Sequence, residues 1–229
     1  FNAPEVTGAE TSSTMIDYQV SGELDYQLPG GPIAFAAVFE YHEQDYLLSP
    51  DQRRIDSDNE VPGAEIFING SARQGGGDRD RTSVGLEVLL PVTPKLEVTA
   101  ALRSDEYDDE SSAVGRRQSA MINFAYRPND DFLLRGGAGE SFRAPDMHYV
   151  YAGSSSYFTS VTDYFQCYAT GVPSYQACDN SSTIKGRFQG NTLLEEESGE
   201  NYYLGFVWDV SEGLSFTMDA FHVKLEGAV

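Results

Sequence analysis

Apolar and polar side chains alternate with a period of two in eight stretches of this chain. Between Met15 and Leu28, Ile16, Tyr18, Val20, Leu24 and Tyr26 fall on one face, and Asp17, Gln19, Ser21, Glu23 and Asp25 on the other. Successive side chains of an extended chain point to opposite faces, so this spacing predicts a strand with one apolar and one wetted side. Ile33–Tyr46 repeats the pattern with Ile33, Phe35, Ala37, Phe39 and Tyr41, and Ser83–Leu90 with Val84, Leu86, Val88 and Leu90. Lys95–Arg103 aligns Leu96, Val98, Ala100 and Leu102; Ser119–Arg127 aligns Ala120, Ile122, Phe124 and Tyr126. Phe132–Glu140, Asn201–Val210 and Leu214–Leu225 complete the set.

The connections sort into two kinds. Pro29-Gly30-Gly31, Pro91-Val92-Thr93-Pro94, Pro128-Asn129-Asp130-Asp131 and Ser211-Glu212-Gly213 are tight turns that join the strands into four hairpins. Between hairpins the chain makes long polar excursions over Leu48–Arg81, Glu106–Gln118 and Ser141–Gly199. A soluble sandwich mixes its loop lengths, whereas a membrane-spanning barrel puts short turns on one rim and long loops on the other. A tilted crossing needs about 9–11 residues, which the strands supply. Tyr18, Tyr26, Tyr41, Tyr46, Tyr126, Tyr202 and Tyr203 stand near strand ends, where amphipathic rings form the girdles of such barrels. The predicted fold is therefore all-β, an antiparallel up-and-down meander forming part of a transmembrane β-barrel with long extracellular loops. The residues leave two alternatives open, a soluble β-sandwich that binds a ligand and a complete eight-stranded outer-membrane barrel with adhesive loops.

Composition narrows this. Fourteen Tyr, 13 Phe and 22 Gly suit a β-rich, turn-rich chain, and no run of 18 apolar residues provides a spanning helix. Phe1–Glu10 has neither the basic nor the apolar stretch of a secretory signal. The formal charge of −21 argues against nucleic acid and against docking on anionic lipid by a basic face. Cys167 and Cys178, close together in a stretch rich in Tyr, Ser and Asn, are expected to pair in an oxidising compartment. Closing so short a loop stabilises it by roughly 3 kcal/mol. Neither cysteine has a Cys or His at metal-ligand spacing, and His42, His148 and His222 are scattered. No metal, cofactor or catalytic constellation is predicted, and the chain is not expected to be an enzyme.

Two phrases add a resemblance. Leu133–Gly153 runs a strand into Ser141-Phe142-Arg143-Ala144-Pro145 and on into an aromatic-rich stretch. Later comes Gly190-Asn191-Thr192-Leu193-Leu194-Glu195-Glu196-Glu197-Ser198, followed by Asn201-Tyr202-Tyr203-Leu204-Gly205-Phe206. In this order, with a cysteine pair between them, they resemble the barrel phrases of TonB-dependent outer-membrane receptors. The sequence departs from that pattern at Thr192 and Glu196, where prolines are usual. The resemblance covers about Leu89–Val229. It implies that residues 1–229 are an internal portion of the receptor barrel, with about eight strands and without the plug domain or TonB box. It implies a location in the outer membrane of a Gram-negative bacterium and a contact with outer-membrane lipid. It further implies a nutrient ligand (siderophore, cobalamin, oligosaccharide or peptide) held by the extracellular loops. The plug domain and the TonB complex are the implied partners.

Candidate site residues follow from both readings. Arg143, at the mouth of a strand, suits contact with an anionic ligand or a plug carboxylate; the plainer role is a structural salt bridge that shapes the loop entry, for example with Glu140. Met147–Tyr175 carries Tyr149, Tyr151, Tyr157, Phe158, Tyr164, Phe165, Tyr168 and Tyr175. Rings with a hydroxyl handle bury recognition area at low entropic cost, so Tyr149, Tyr151, Tyr157, Tyr164 and Tyr168 are expected ligand contacts. The plainer role is mutual packing that holds the loop together. Asp105, Glu106, Asp108, Asp109 and Glu110, like Asp51, Asp56, Asp58 and Glu60, are read as solvated loop charge, since neither run matches a calcium loop. Asp78-Arg79-Asp80-Arg81 is read as a self-compensating surface run.

Overall fold

The structure is a computed structural model in which residues 4–59, 62–63, 70–111, 113–172 and 174–228 are described. In chain order the elements are β1 (Gly8–Leu28), β2 (Gly31–Ser49), α1 (Gln52–Asn59), β3 (Gly70–Ala72), β4 (Gly75–Thr93), β5 (Leu96–Asp109), β6 (Arg116–Asn129) and β7 (Phe132–Arg143). Then follow α2 (Met147–Tyr151), β8 (Ser155–Thr162), α3 (Tyr164–Ala169), a 3₁₀ turn (Tyr175–Ala177), β9 (Ser181–Phe188), β10 (Glu197–Ser211) and β11 (Leu214–Glu226). The chain divides into two compact units. One comprises 1–11, 45–77 and 147–191; the other comprises 12–44, 78–146 and 192–229.

The second unit is built on one sheet in the order β1-β2-β4-β5-β6-β7-β10-β11. All neighbours whose register is resolved are antiparallel, so this is the up-and-down meander that the alternation predicts. β1 and β11 are its two edges and do not pair with each other, so the sheet is open and is not a closed eight-stranded barrel. Register aligns the apolar positions into rows. Val88, Ala100, Ile122, Ala138, Tyr202 and His222 form one; Leu90, Val98, Phe124, Gly136, Leu204 and Ala220 form the next. Near the turns Phe132, Trp208 and Phe216 come level, and the Phe206 ring lies 5.8 Å from Phe132 and 5.7 Å from Phe216. The result is a continuous apolar band on one face, with aromatic rings at its lower margin.

The other face is polar and ion-paired. Arg135 Nη2 lies 2.8 Å from Asp219 Oδ2, and Arg127 Nη1 3.3 Å from Glu97 Oε2. Glu40 accepts from both Arg81 and Arg103, and Arg103 also donates to Asp105. Ser83 Oγ donates to Asp105 Oδ1 at 2.5 Å, and both residues are buried. Only Ala72, Val114, Val150, Tyr151 and Cys167 are buried hydrophobics among the described residues, whereas Leu86, Leu102, Ile122, Leu204, Phe216 and Met218 on the band are more than half or about half exposed. A soluble sandwich buries this face against a second sheet; among the described residues of this unit there is no second sheet.

The strands outrun their alternation. β1 begins at Gly8 rather than Met15, β4 at Gly75 rather than Ser83, and β5 continues to Asp109 rather than Arg103. Ladder hydrogen bonds persist there while both faces are polar, so the pairing survives where the hydrophobic signal stops. Asp105, Glu106, Asp108 and Asp109 are accordingly strand residues, not loop charge. Tyr203 lies on the polar face, since Tyr202 and Tyr203 cannot share one, and its hydroxyl donates to Asn123 Oδ1 at 3.3 Å.

The first unit is the structured part of the long excursions. β3, β8 and β9 form a three-stranded antiparallel sheet in that order. Ser71 Oγ and Ser156 Oγ, both buried, meet at 2.5 Å across the β3–β8 pair. Cys167 of α3 is joined to Cys178, their Cα atoms 5.8 Å apart. Asp163 caps α3, its carboxylate accepting from Gln166 N at 2.8 Å. Thus Ser141–Gly199, read from sequence as one loop, contains two strands and two short helices. The acidic run ending at Glu60 becomes α1; Glu60 and the side chains of Asp58 and Tyr175 lie outside the described residues.

Candidate ligand-recognition site

In the first unit a pocket of about 420 Å³ opens beside the small sheet. α2 contributes His148 and Tyr149, α1 contributes Arg54, and the segment after β3 contributes Arg73. Phe188, the last residue of β9, forms part of the lining, with its ring stacked on Tyr157 at 4.7 Å and an interplanar angle of 24°. Register places Tyr157 opposite Gly186, where a Cβ would stand 2.3 Å from the Tyr157 ring, so the glycine leaves the room the ring occupies. His148 is fixed on two sides: its Nδ1 is 3.0 Å from the Tyr46 hydroxyl, and its ring centroid is 5.5 Å from that of Tyr149. Tyr46 is thereby committed to the loop unit, not to a girdle.

Backbone approach shapes the floor. A Cβ on Gly153 would lie 2.2 Å from Arg73 O, and Arg73 N donates to Ser154 O at 2.8 Å. Only glycine admits that crossing. No carboxylate stands among the lining residues. Of the two guanidinium groups in the lining, that of Arg54 is paired with Glu5, which stands outside the lining.

Two positions set the charge at the start of α1. Arg54 Nη1 donates to Glu5 Oε1 at 2.7 Å. Asp51 receives the Arg53 guanidinium, the Arg53 backbone N–H and the Val6 backbone N–H, and these hold its carboxyl well below the usual carboxylate range.

The sequence-predicted residues part company. Tyr149 lines the pocket, and Tyr157 supports its wall through Phe188. Tyr164 and Tyr168 project from α3, Tyr168 being 83% exposed, and do not line it. Tyr151 is buried, its ring filling the space beside Gly77. Arg143 belongs to the other unit, where it pairs with Asp146 at 2.8 Å and stands 4.0 Å from Glu197. Glu140 is not its partner, because residues three apart on a strand point to opposite faces. The surface reading of Asp78–Arg81 also fails at one residue. Arg79 is buried and donates from Nε to Asp109 at 2.6 Å and from Nη1 to Pro145 O at 2.8 Å, fixing the corner after β7. Sequence reasoning passed over Arg54, Arg73 and Phe188. Their available signal was scarcity: an Arg53-Arg54 doublet inside an acidic run, and an aromatic two residues before Gly190.

The comparisons with known proteins decide the family. The β-barrel model of TonB dependent receptor-like proteins matches residues 3–228. The chain belongs to this family. A probable TonB-dependent siderophore receptor, PirA of Acinetobacter baumannii, is 30% identical over 136 residues, which are 56% of this chain and 15% of that protein. The crystal structure of the siderophore receptor PirA from A. baumannii superposes with a TM-score of 0.66 at 20% identity, covering 95% of this chain. A mutant of the ferric enterobactin receptor PfeA from Pseudomonas aeruginosa, in complex with enterobactin, gives 0.65 at 18% identity, also over 95% of this chain. At such identities these two structures speak for the fold. The chain spans 27% of the length of each, so it corresponds to about a quarter of a TonB-dependent receptor.

Proposed function

We propose that this chain forms part of the wall and outer loops of an outer-membrane receptor that binds a ferric siderophore for TonB-energised uptake. The apolar band on a sheet whose other face is polar and ion-paired carries this reading. Such a sheet suits a wall with lipid on one side and a hydrated passage on the other. The siderophore class comes from the named relatives, both of them siderophore receptors, and takes precedence over cobalamin, oligosaccharide or peptide. The receptor is a transporter rather than an enzyme. Its location is the outer membrane of a Gram-negative bacterium, and its partners are a plug domain within the barrel and the TonB complex beneath it. In the loop unit Tyr149, Tyr157, Tyr164 and Tyr168 are proposed ligand contacts, with Tyr151 buried beside Gly77; Arg143, in the other unit, is proposed as a contact by itself.

The test is uptake of radiolabelled ferric siderophores by cells in which this receptor is the sole outer-membrane iron transporter. Uptake that requires both the receptor and TonB is expected. Uptake that continues without TonB, or cells that accumulate none of the chelates, would overturn the proposal.

A further inference from the structure

We infer that the polar face of the large sheet carries a docking hollow for one segment of the plug domain, a segment with an apolar side chain beside a lysine or arginine; this rests on the receptor reading above. A hollow of about 440 Å³ lies within the wall unit, and its lining includes Ala36, Val38, Gly85, Ala101 and Met121. Register pairs Gly85 with Arg103, Glu87 with Ala101, and Ala101 with Met121, so these positions share the ion-paired face rather than the band. A Cβ on Gly85 would stand 2.8 Å from Val38 Cγ1, so the glycine leaves the room that the valine occupies on that face. The polar face thus holds an apolar recess, the kind of surface into which an anchoring side chain inserts.

Charge decides what stands beside the anchor. Arg103 belongs to the lining but is already bound to Glu40 and Asp105. Glu87, in the same lining, has no hydrogen bond or ion pair among the described residues. Asp17, two positions from the lining residue Gln19 on the same face of β1, has none either. The recess therefore offers negative charge without compensation, and a cation on the incoming segment complements it. Other occupants fit less well. A small ligand is oriented by several convergent polar groups, and the one guanidinium in this lining is engaged. Lipid, in the receptor reading, lies against the opposite face of the sheet.

The experiment places p-benzoylphenylalanine at Ala101, and in a second variant at Ser119, in the whole receptor. After irradiation the cross-linked peptide is identified by mass spectrometry, and heat-dependent electrophoretic mobility checks folding. A plug peptide that carries an apolar residue next to a lysine or arginine is expected. Glu87→Lys is expected to lower the cross-linking yield about tenfold, while Glu87→Asp stays close to the parent. Replacing the basic residue of the captured peptide by glutamate is expected to restore the yield in Glu87→Lys, a gain that misfolding cannot imitate. Capture of a barrel peptide, of lipid or of the ferric chelate, or no capture in a receptor that transports, overturns the assignment of the hollow. Capture of a plug peptide that is indifferent to Glu87→Lys overturns its charge complementarity. A full-length protein whose uptake does not require TonB overturns the receptor reading itself.

Discussion

Arg79 shows how a residue that looks superficial in sequence becomes structural once its strand is paired. Its side chain is 6% exposed and that of Asp109 is not exposed at all, and the pair ties β4 to β5 while Arg79 also holds Pro145. Removing one partner of a buried pair leaves the other charge without compensation. Arg79→Ala is therefore expected to destabilise the unit by about 3 kcal/mol, whereas Arg79→Leu combined with Asp109→Leu loses much less. Thermal unfolding, followed by heat-dependent mobility, checks this; equal losses in the single and double variants would refute it. Asp51 acts instead through hydrogen bonds at the start of α1. Because its folded-state carboxyl titrates below the ordinary range, its contribution is complete above the unfolded value of about 4 and declines as pH falls below that. Protection of the amides at the start of α1 against hydrogen exchange, relative to their intrinsic rates at each pH, should thus fall on acidification in the parent and be low at all pH values in Asp51→Asn. Glu196 follows the same sign. Burial pushes its carboxyl up, but the Arg117 guanidinium, with Nη2 at 2.6 Å from Oε2, outweighs this and leaves it below the ordinary range.

Elements were legible where a period of two met one-sided burial, and illegible where it did not. β5 and β6 alternate cleanly over Leu96–Leu102 and Ala120–Tyr126, so their existence and pairing could be read directly. β8, with the sequence SSYFTSVT, has few apolar positions, and its order comes from pairing with β3 and β9 and from the Ser71–Ser156 contact, partners distant in sequence. The pocket was hidden for the same reason: Arg54, Arg73, His148 and Phe188 come from four separate segments and no local motif joins them. The cysteine pair was legible, because its spacing alone restricts it. Cys167 and Cys178 link α3 to the segment before β9 and constrain the loop that carries Tyr164 and Tyr168. Cys167→Ser is expected to remove about 3 kcal/mol of loop stability and to admit protease between Asp163 and Asn180. Persistence of the parental cleavage pattern in that variant would show that packing rather than the bond holds the loop. At Gly137 the element depends on a missing side chain: a Cβ would lie 2.0 Å from Asn123 Oδ1 and 2.8 Å from the Tyr203 ring. Gly137→Val is expected to displace Tyr203 and break its bond to Asn123, lowering the unfolding temperature.

At the scale of the molecule, the decisive question is what lies against the apolar band. Water is a poor answer, since contiguous apolar patches on soluble monomers rarely exceed a few hundred Å². Among its described residues the sheet's own unit supplies no second layer. The proposed occupant is lipid, and it makes an asymmetric demand. Leu204 sits mid-strand on the band, and Asn201 is on the opposite face of the same strand. Leu204→Arg should cost about 2–4 kcal/mol when the receptor folds into bilayers, while Asn201→Arg, facing the polar side, costs much less. Trp208, the chain's one tryptophan, reads the same geometry without altering the band. It lies level with Phe132 and Phe216 close to the short turns, where an interfacial ring belongs. In vesicles of brominated lipid its fluorescence should be quenched, more strongly by bromine near the headgroups than by bromine deep in the chains. In a receptor whose other tryptophans are replaced by phenylalanine, emission that no bromolipid quenches would mean that Trp208 packs against protein, and the band would then need another occupant.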